Sequence, residues 1–368
     1  MSRVALVSPY ALSVPGGVQE QVLAMSRELC RRDHDVVVVA PDSHDRAVYD
    51  TPARVARFGA RLSLPANGSK APLTLSPAAA LAARRHIEAF LPDVVHYHEP
   101  FAPLIGWSTL WRHRAPAVAT FHRSGSGPAL ALTRPLLAAL AARLDVAAAV
   151  SPAAAATWRA ATPLAPEVLF NGFEAERFRA FPREAPEDVH VIFVGRLEAR
   201  KGAGDVIRAV QIHNATHPAS PWRLRVVGDG PQRASLEDAA RGDEHVTFLG
   251  ALADADKRAL LRRSSVAVAA STHGESFGLV VLEPMASEVP VVASDIEGYR
   301  EAAGGHATLF RAGDPASLAE AIANALATAT PERLAAARAH AMNWSMAHLV
   351  DLYEGLYERA RGEFTRVR

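Results

Sequence analysis

Short apolar runs alternate with longer amphipathic stretches along most of the chain. Turn residues bound five such runs in the first half, which are Val4–Val7, Val36–Ala40, Val94–Tyr97, Val118–Phe121 and Ala147–Val150. Runs of this length and composition predict buried parallel strands. The stretches between them predict helices at Gly17–Arg32, Pro77–Phe90 and Arg134–Leu144. This alternation predicts a doubly wound α/β domain.

The same pattern restarts in the second half of the chain. It predicts strands at Val189–Val194, Arg223–Val227, Val246–Phe248, Val266–Ala269 and Val291–Ala293. It predicts helices at Lys201–His213, Gln232–Arg241, Ala255–Arg263 and Gly278–Ser287. Two consecutive Rossmann-like units predict a ligand cleft, because ligands of such sheets bind beyond the carboxyl ends of the strands.

We therefore divide the chain into an N-terminal domain, residues 1–170, and a C-terminal domain, residues 171–344. The boundary lies at Asn171-Gly172-Phe173, ahead of a polar, proline-containing stretch. A last helix at Trp344–Tyr357 carries an apolar stripe made of Leu349, Leu352, Leu356 and Tyr357. We expect this segment, about residues 345–368, to cross back and pack on the first domain.

Charge and cysteine content narrow the class of protein. The 368 residues include 40 Lys and Arg against 39 Asp and Glu, a balance that gives no sign of a nucleic-acid-binding surface. The single cysteine, Cys30, excludes an internal disulfide. The apolar run at the start ends at Ser8, too early for a signal peptide, and no run reaches the ~18 residues of a spanning helix. These features predict a cytoplasmic protein.

Two glycines, Gly16 and Gly17, lie in the predicted turn between the first strand and the first helix. Glycine lets the backbone approach a phosphate closely, and the start of the following helix offers free N–H groups. A tight structural turn explains the same residues equally well. The spacing also differs from the Gly-x-Gly-x-x-Gly dinucleotide fingerprint.

Arg196 and Lys201 flank the turn that follows the first strand of the second domain. Two cations at a strand's carboxyl end can neutralise a diphosphate, arginine through a bidentate fork and lysine as a point charge. They would stabilise the charge that develops on a departing nucleoside diphosphate. Two solvated surface charges are the alternative.

His122 follows a strand of the first domain, which predicts a position at the cleft mouth beside donor sugar or acceptor.

A predicted helix that carries Glu283 follows the segment Gly274-Glu275-Ser276-Phe277-Gly278. The amino terminus of this helix can bind phosphate through its N–H groups. A carboxylate on an otherwise apolar helix needs a partner, because burying an unpaired charge is costly. We expect Glu275 to accept hydrogen bonds from sugar hydroxyls and Glu283 to bind a ribose diol. A salt-bridged core glutamate is the alternative for Glu283.

Two clusters have the residue types of metal ligands. His96, His98 and Glu99 are close in sequence, but Glu99 points away from the two histidines for as long as the strand continues. A hydrogen-bonded structural role or an acceptor contact explains them better. Asp254-Ala255-Asp256 opens a predicted helix, so we expect Asp254 to cap it. We predict no obligatory metal ion.

Taken together, these motifs resemble those of the family 4 retaining glycosyltransferases, which have the GT-B fold. The resemblance spans nearly the whole chain and includes Gly16-Gly17, Arg196 with Lys201, Gly228-Asp229-Gly230 and the Glu275-to-Glu283 segment. Within the family, the chain is similar to phosphatidylinositol mannosyltransferases. This similarity lies in Val14-Pro15-Gly16-Gly17-Val18-Gln19, His98-Glu99-Pro100, Ala119-Thr120-Phe121-His122, Gly274-Glu275-Ser276-Phe277-Gly278 and Val292-Ala293-Ser294-Asp295.

The resemblance implies a role for each matching residue. Four would serve catalysis, with His122 beside the anomeric carbon, Arg196 and Lys201 on the diphosphate, and Glu275 on the donor sugar. The other donor-binding positions would be Gly16, Gly17, Gly228, Asp229, Gly230, Ser276, Phe277, Gly278, Leu279 and Glu283. The acceptor would contact Tyr10, Gln19, Asn67, Gly68 and Ser69. It would also contact Arg123, which departs from the family pattern because the lipid-using relatives usually have a small hydroxyl residue there.

The resemblance also implies a reaction. The expected activity is retaining transfer of a hexose, first of all mannose from GDP-mannose, to an acceptor hydroxyl such as that of a phosphatidylinositol-like lipid. No cofactor is implied beyond the nucleotide-sugar co-substrate. A same-fold transferase that uses a UDP-sugar and a soluble acceptor stays open, as does a non-catalytic nucleotide-sugar-binding protein. Peripheral contact with the inner membrane face and the oligomeric state stay open too.

Overall fold

The computed structural model of this protein places two parallel sheets in separate units of the chain. Unit 1 comprises Met1–Phe173 and Met346–Arg368, and unit 2 comprises Glu174–Ser345. The structure describes residues 1–14, 16–41, 49–60, 62–66, 69–111, 114–123, 133–179, 188–275 and 278–367. Within these residues both sheets are flanked by helices, so the predicted α/β class with two doubly wound domains is confirmed.

Unit 1 contains a seven-stranded parallel sheet and a two-stranded hairpin. Its strands are β1 (Arg3–Val7), β2 (Asp35–Ala40), β3 (Arg54–Arg57), β4 (Leu62–Ala66), β5 (Ser69–Leu73), β6 (Val94–His98), β7 (Ala117–Phe121), β8 (Val146–Ala149) and β9 (Glu167–Val168). The sheet order is β3-β2-β1-β6-β7-β8-β9, and β4 pairs with β5 antiparallel. Each of the five strands predicted in this half overlaps an observed one.

The helices of unit 1 begin where the sequence offers capping residues. They are α1 (Gly17–Arg31), α2 (Pro77–Phe90), α3 (Ile105–Trp111), α4 (Arg134–Ala141) and α5 (Pro152–Ala161). The Ser76 hydroxyl accepts the N–H of Ala79 at the start of α2, and a proline at the first position presets the helical φ angle. Ser151 caps α5 in the same way. Helix α4 ends at Ala141, earlier than predicted.

Unit 2 repeats this architecture with six parallel strands. They are β10 (His190–Val194), β11 (Arg223–Val227), β12 (Val246–Gly250), β13 (Val266–Ala269), β14 (Val291–Ser294) and β15 (Thr308–Phe310), in the order β12-β11-β10-β13-β14-β15. The helices are α6 (Ala203–Thr216), α7 (Arg233–Ala239), α8 (Asp254–Arg262), α9 (Leu279–Ala286), α10 (Glu297–Ala303), α11 (Pro315–Ala327) and α12 (Pro331–Met342).

The strand order reverses beside the first strand of each unit. In unit 1, β1 lies between β2 and β6, and in unit 2, β10 lies between β11 and β13. Doubly wound sheets bind ligands outside the carboxyl ends of the strands at such a reversal. The segments that follow β1, β6, β10 and β13 are therefore the places where each unit can hold a ligand.

Both faces of each sheet are covered, which is why the strands have nearly continuous apolar sequences. In β1, Ala5 and Val7 enter one hydrophobic core of unit 1, while Val4 and Leu6 enter the core on the opposite face. Alternate side chains of a strand point to opposite faces, so a strand buried on both faces needs apolar residues at every position.

The last helix, α13 (Met346–Val367), packs on the sheet of unit 1. Leu349, Leu356 and Tyr357 are buried as the apolar stripe predicts. Leu352 is only half-buried, however, and the neighbouring Tyr353 is buried in its place. The prediction for Leu352 was wrong because this residue lies at the edge of the buried face, which is formed by Leu349, Tyr353, Leu356, Tyr357 and Ala360. The Tyr353 hydroxyl lies 2.6 Å from the Thr120 hydroxyl of β7.

Arg32, at the end of α1, fixes α13 against unit 1. Its guanidinium donates to the carboxylates of Asp351 (2.5 Å) and Glu354 (2.6 Å) and to the carbonyl of Ala347 (2.6 Å). Glu28 accepts a further bond from it at 2.8 Å.

Among the described residues, no helix is both long enough and apolar enough to cross a membrane.

Replacing Leu356 by alanine tests the packing of α13. Leu356 is 3% exposed, and deleting a buried leucine side chain costs about 2–5 kcal/mol, so the denaturation midpoint of unit 1 should fall. At the adjacent exposed Gly355, an added Cβ meets no atom within 4 Å. Gly355→Ala should therefore raise stability by up to about 1 kcal/mol. A Leu356→Ala protein with an unchanged midpoint in urea would contradict the packing.

Candidate functional site

The carboxyl edge of the unit 2 sheet carries most of the predicted donor-binding residues. Residues 195–201 follow β10, residues 228–230 follow β11, and residues 271–275 follow β13. Because these three strands are neighbours and parallel, their carboxyl ends lie side by side at the reversal of the strand order. Local sequence decides only that each segment follows a strand, and the sheet order brings the segments together.

Three donors meet on one oxygen of Glu275. Its Oε1 accepts from the Arg200 guanidinium (3.0 Å), from the Lys201 ammonium group and from the Ser271 hydroxyl (3.0 Å). The side chains of Lys201 and Glu275 are only 15% and 13% exposed. Removing one partner from such a desolvated pair leaves an uncompensated charge, so the two groups depend on each other. The contact between Lys201 and Glu275 is the centre of this site.

Arg196 joins the same group through a second carboxylate. Its Nε lies 3.0 Å from Glu198 Oε1, and Arg200 Nε lies 3.3 Å from Glu198 Oε2. Arg196 is 73% exposed and contacts neither Lys201 nor Glu275 in this structure. The three cations exceed the two carboxylates by one positive charge, which suits an anionic ligand.

Arg200 is a member of this cluster that the sequence analysis missed. The predicted helix from Lys201 to His213 was wrong at its start, because Ala199–Lys201 forms a 3-10 turn and α6 begins only at Ala203. The turn lets both consecutive cations reach Glu275, and the Arg200 carbonyl accepts the N–H of Thr272 at 2.8 Å. A run of two basic residues at a strand end is the only signal that the sequence offered.

Two hydroxyl groups in series hydrogen-bond the carboxylate of Glu275. The Tyr299 hydroxyl of α10 donates to Ser271 Oγ at 2.8 Å, and Ser271 Oγ donates to Glu275. Burial raises the pKa of Tyr299, so the hydroxyl keeps its proton and remains a donor. Roles for Ser271 and Tyr299 could not be predicted from the sequence, because the hydrogen-bonded partners are 4 and 28 residues apart in the chain.

Gly228 and Gly230 let the loop after β11 pass very close to the loop after β10. Gly228 has φ +131°, and a Cβ there would overlap the carbonyl oxygen of Gly195. A Cβ on Gly230 would lie 2.6 Å from the carbonyl oxygen of Leu197. Asp229 turns toward its own loop, where its carboxylate accepts the Gly230 N–H at 2.7 Å. The glycines thus set the shape of the edge, whatever ligand it binds.

Helix α9 begins directly behind this edge. Gly278 adopts the left-handed conformation, φ +67°, immediately before Leu279, the first helical residue. The first N–H groups of a helix have no partner within it and favour an anion. Ser276 and Phe277, which were predicted to contact the donor, lie outside the described residues.

Glu283, on α9, is salt-bridged in this structure. Both of its carboxylate oxygens lie 3.0 Å from Lys257 Nζ. Burial raises the pKa of Glu283, while the charge of Lys257 opposes that shift. The salt bridge is the alternative that was considered for Glu283 from the sequence.

Asp254 was predicted to cap α8, and that was wrong: it is the first helical residue, and its carboxylate pairs with Arg258 at 2.6 Å.

Unit 1 has a different arrangement at its strand ends. Glu99 follows β6 in the left-handed conformation, and its buried carboxylate accepts the backbone N–H groups of His122 and Arg123 after β7. Burial raises the pKa of Glu99 to about 7, although these two N–H groups and the charge of Arg123 oppose the shift. Burial and the nearby Glu99 raise the pKa of Tyr10 to about 12. The edge therefore brings Tyr10, His122 and Arg123 together around one carboxylate.

Three histidines stack beside this edge. The His96 and His98 rings lie 4.5 Å apart, and the His98 and His122 rings lie 5.3 Å apart. His98 Nδ1 and His122 Nε2 are 3.0 Å apart, which is a hydrogen bond. Burial lowers the pKa of His96 to about 3 and that of His122 to about 4, so both rings are neutral. No group of His, Cys, Asp and Glu side chains within the described part of the chain could hold a metal ion.

The glycine loop of unit 1 precedes α1. Gly16 is its N-cap, and a Cβ there would lie 2.6 Å from Gln19 Oε1. Gln19 is buried, with its Nε2 3.5 Å from the Ala11 carbonyl oxygen, so its side chain packs within the loop. Gly17 is the first residue of the helix and has open space around it. Of the predicted acceptor loop, Asn67 and Gly68 lie outside the described residues, and Ser69 begins β5.

Comparison with known proteins assigns the family. A "Glycosyltransferase Family 4" model matches residues 15–177, and a "Glycosyl transferases group 1" model matches residues 188–328. The chain is 34% identical to the phosphatidyl-myo-inositol mannosyltransferase of Propionibacterium freudenreichii, over 94% of this chain and 92% of that protein. It is 33% identical to the protein of that name from Mycobacterium leprae, over 96% of each. The chain belongs to glycosyltransferase family 4.

Solved structures agree on the fold. A glycosyltransferase from Rickettsia africae superposes with a TM-score of 0.70 at 16% identity, covering 98% of both chains. Anabaena HepE in complex with UDP and glucose superposes with a TM-score of 0.68 at 20% identity, covering 97% of this chain and all of that one. Identities this low show the GT-B fold alone. Together with the family assignment, they make this chain a GT-B glycosyltransferase that transfers a hexose.

Replacing Gly228 by alanine tests how far the edge of unit 2 depends on close backbone approach. The new Cβ would meet the Gly195 carbonyl and force a strained φ angle, at a cost of about 1–3 kcal/mol. Gly204→Ala is the matched control in the same unit, because a Cβ there lies at an ordinary 3.5 Å from Leu236. We expect a lower thermal midpoint for Gly228→Ala only. Equal midpoints for the two variants would disprove the close approach.

Proposed function

We propose that this glycosyltransferase moves mannose from GDP-mannose to a phosphatidylinositol-like lipid, with retention of the anomeric configuration. The named relatives, at 32–34% identity, support this choice of donor sugar and acceptor. The single structural observation that carries the donor half is the cluster of Arg200, Lys201 and Glu275 at the strand reversal of unit 2. The acceptor half implies work at a membrane surface, by a protein held peripherally at its cytoplasmic face.

The donor diphosphate would bind the cations of unit 2. Lys201 and Arg196 would neutralise the two phosphates, and Arg200 would add a third positive group. The excess of one positive charge supports this, as does the amino terminus of α9 close behind. Charge develops on the leaving nucleoside diphosphate as the glycosidic bond breaks, so cations already in place lower the barrier without reorganising.

Two carboxylates would orient the rest of the donor. Glu275 would accept hydrogen bonds from the sugar hydroxyls, while Lys201 and Arg200 hold its carboxylate in place. Glu283 would hold the ribose. A carboxylate has about four lone-pair sites, so Glu283 can accept ribose hydroxyls while it keeps Lys257 as its counter-charge.

The acceptor would bind unit 1. Tyr10, Arg123 and the Asn67-Gly68-Ser69 loop would face the lipid headgroup, with Arg123 available to its phosphate. His122 would contact the transferred sugar beside the anomeric carbon. In a front-face reaction the leaving phosphate accepts the proton of the attacking hydroxyl, so no enzyme nucleophile is required. We propose that the transfer needs no metal ion.

A donor and acceptor panel tests the proposal directly. GDP-mannose, GDP-glucose, UDP-glucose and UDP-galactose would each be incubated with phosphatidylinositol vesicles or with soluble myo-inositol, once in EDTA and once with magnesium or manganese instead. We expect a mannosylated lipid from GDP-mannose alone. The NMR coupling at the anomeric carbon of the product should show that the α configuration of the donor is retained.

Each other outcome points to a different function. Product from a UDP-sugar and soluble inositol would contradict both the proposed donor and the proposed lipid acceptor. It would favour a transferase with a soluble acceptor. Donor binding without product from any pair would favour a non-catalytic nucleotide-sugar-binding protein. Activity lost in EDTA and restored by magnesium or manganese would contradict metal-independent transfer.

Lys201→Ala should remove most of the turnover while leaving the fold intact. Losing one charge that stabilises the leaving group costs roughly 2–4 kcal/mol in the barrier, which is about 30- to 1,000-fold in kcat. Glu275 would retain Arg200 and Ser271 as partners, so the protein should still fold, with a lower thermal midpoint because the ion pair has lost its lysine. Arg311→Ala, which removes a cation 83% exposed elsewhere in unit 2, is the control and should keep full kcat. Near wild-type kcat in Lys201→Ala would reject the assignment.

A further inference from the structure

His98 has one hydrogen-bonding nitrogen that is used and one that is not. Its Nδ1 lies 3.0 Å from His122 Nε2. Its Nε2 is buried and has no hydrogen-bond partner among the described residues. A neutral imidazole carries one N–H and one bare nitrogen. The surroundings of Nδ1 and Nε2 therefore determine which of them carries the proton of His98. Burial lowers the pKa of His98 well below its usual value and keeps the ring neutral.

The unused nitrogen selects one of the two arrangements. If His98 carried its proton on Nε2, a buried N–H donor would have no acceptor, and its Nδ1 would have to accept from His122. Orphaned buried N–H groups are rarer in proteins than acceptors with an unused lone pair. The favoured arrangement therefore has the proton of His98 on Nδ1, where it donates to His122 Nε2.

The neighbouring histidine cannot supply an alternative partner. His96 uses both nitrogens elsewhere: Nδ1 lies 2.9 Å from the Tyr357 hydroxyl, and Nε2 lies 2.7 Å from the Thr120 hydroxyl. Its ring stacks on that of His98 and fixes the plane of that ring. The backbone of His122 is held separately, because its N–H donates to Glu99. Among the described residues, His98 is thus the side chain that hydrogen-bonds the ring of His122.

We propose that His98 is a positioning residue that holds His122 as the Nδ1–H tautomer. With His122 Nε2 occupied as an acceptor, the proton of the His122 ring lies on Nδ1. His122 then offers an N–H donor, rather than a lone pair, to a hydroxyl or ring oxygen of the transferred sugar. This consequence for catalysis rests on the proposed function of His122, whereas the tautomer itself does not.

NMR of the ligand-free protein tests the tautomer without any assay of activity. Long-range proton–nitrogen spectra of protein labelled with ¹⁵N-histidine distinguish a protonated ring nitrogen from a bare one. His122→Asn identifies the signals of His122. We expect Nδ1–H with a bare Nε2 for His122 in the wild type, and loss of this single tautomer in His98→Phe, which keeps an aromatic ring against His96 but has no donor. An Nε2–H tautomer in the wild type, or an unchanged His122 in His98→Phe, overturns the inference.

A conservative variant separates positioning from folding. The side-chain amide that His98→Asn introduces can donate from a place close to that of Nδ1. We expect kcat/KM to fall about tenfold in His98→Phe, the loss that fits one hydrogen bond of ordinary strength, and to recover to within about threefold in His98→Asn. His306→Phe, at an exposed histidine of unit 2, is the matched control for the substitution.

The thermal midpoint, the tautomer of His122 and kcat/KM together distinguish the possible outcomes. If His98→Phe melts like the wild type, loses the single tautomer and loses activity, the inference stands. If the tautomer changes while kcat/KM does not, the positioning role stands and the proposed role of His122 in transfer fails. If His98→Asn shows the wild-type tautomer but no recovery of activity, the tautomer is not what transfer requires, and the catalytic consequence is overturned.

Discussion

Lys201 and Glu275 form a desolvated ion pair that joins two strand ends of unit 2, and the candidate donor site depends on it. Lys201 comes from the turn after β10, whereas Glu275 comes from the segment after β13. A charge withdrawn from water needs a counter-charge, so neither segment can move without the other. Arg200 and Ser271 share the same oxygen and restrict the pair further. The result is a fixed group of cations at the place where a doubly wound sheet binds its ligand.

Unit 1 meets a similar constraint with different chemistry. Glu99 is buried at the edge of that unit's sheet, but it is bound by backbone N–H groups instead of side-chain cations. Around it lie neutral histidines, and α13 supports them through the hydroxyls of Tyr353 and Tyr357. The cluster of cations in unit 2 contrasts with the neutral histidines around one carboxylate in unit 1, which fits the proposed division, with the diphosphate on unit 2 and an acceptor hydroxyl on unit 1.

The sequence allowed ten strands of the two sheets to be predicted, because strand and helix periodicity and turn residues are local properties, but it did not indicate the edge strands β3, β9 and β15. It also placed Lys201 and His122 after strands and Glu275 ahead of a helix, and the parallel sheet turned those positions into a common edge within each unit. Predictions failed where a side chain had to choose among partners. Asp254 pairs with Arg258 instead of capping α8, and Tyr353 takes the buried position expected for Leu352.

The sequence by itself determined the class of fold, the family and which segments can meet a ligand, since motifs and apolar periodicity are read along the chain. Only the tertiary structure decided that Glu283 pairs with Lys257, that Arg200 rather than Arg196 reaches Glu275, and that His98 contacts His122. The reason is physical: the strength of an ion pair or hydrogen bond depends on distance and on burial. Neither quantity exists until residues far apart in the chain are packed against one another.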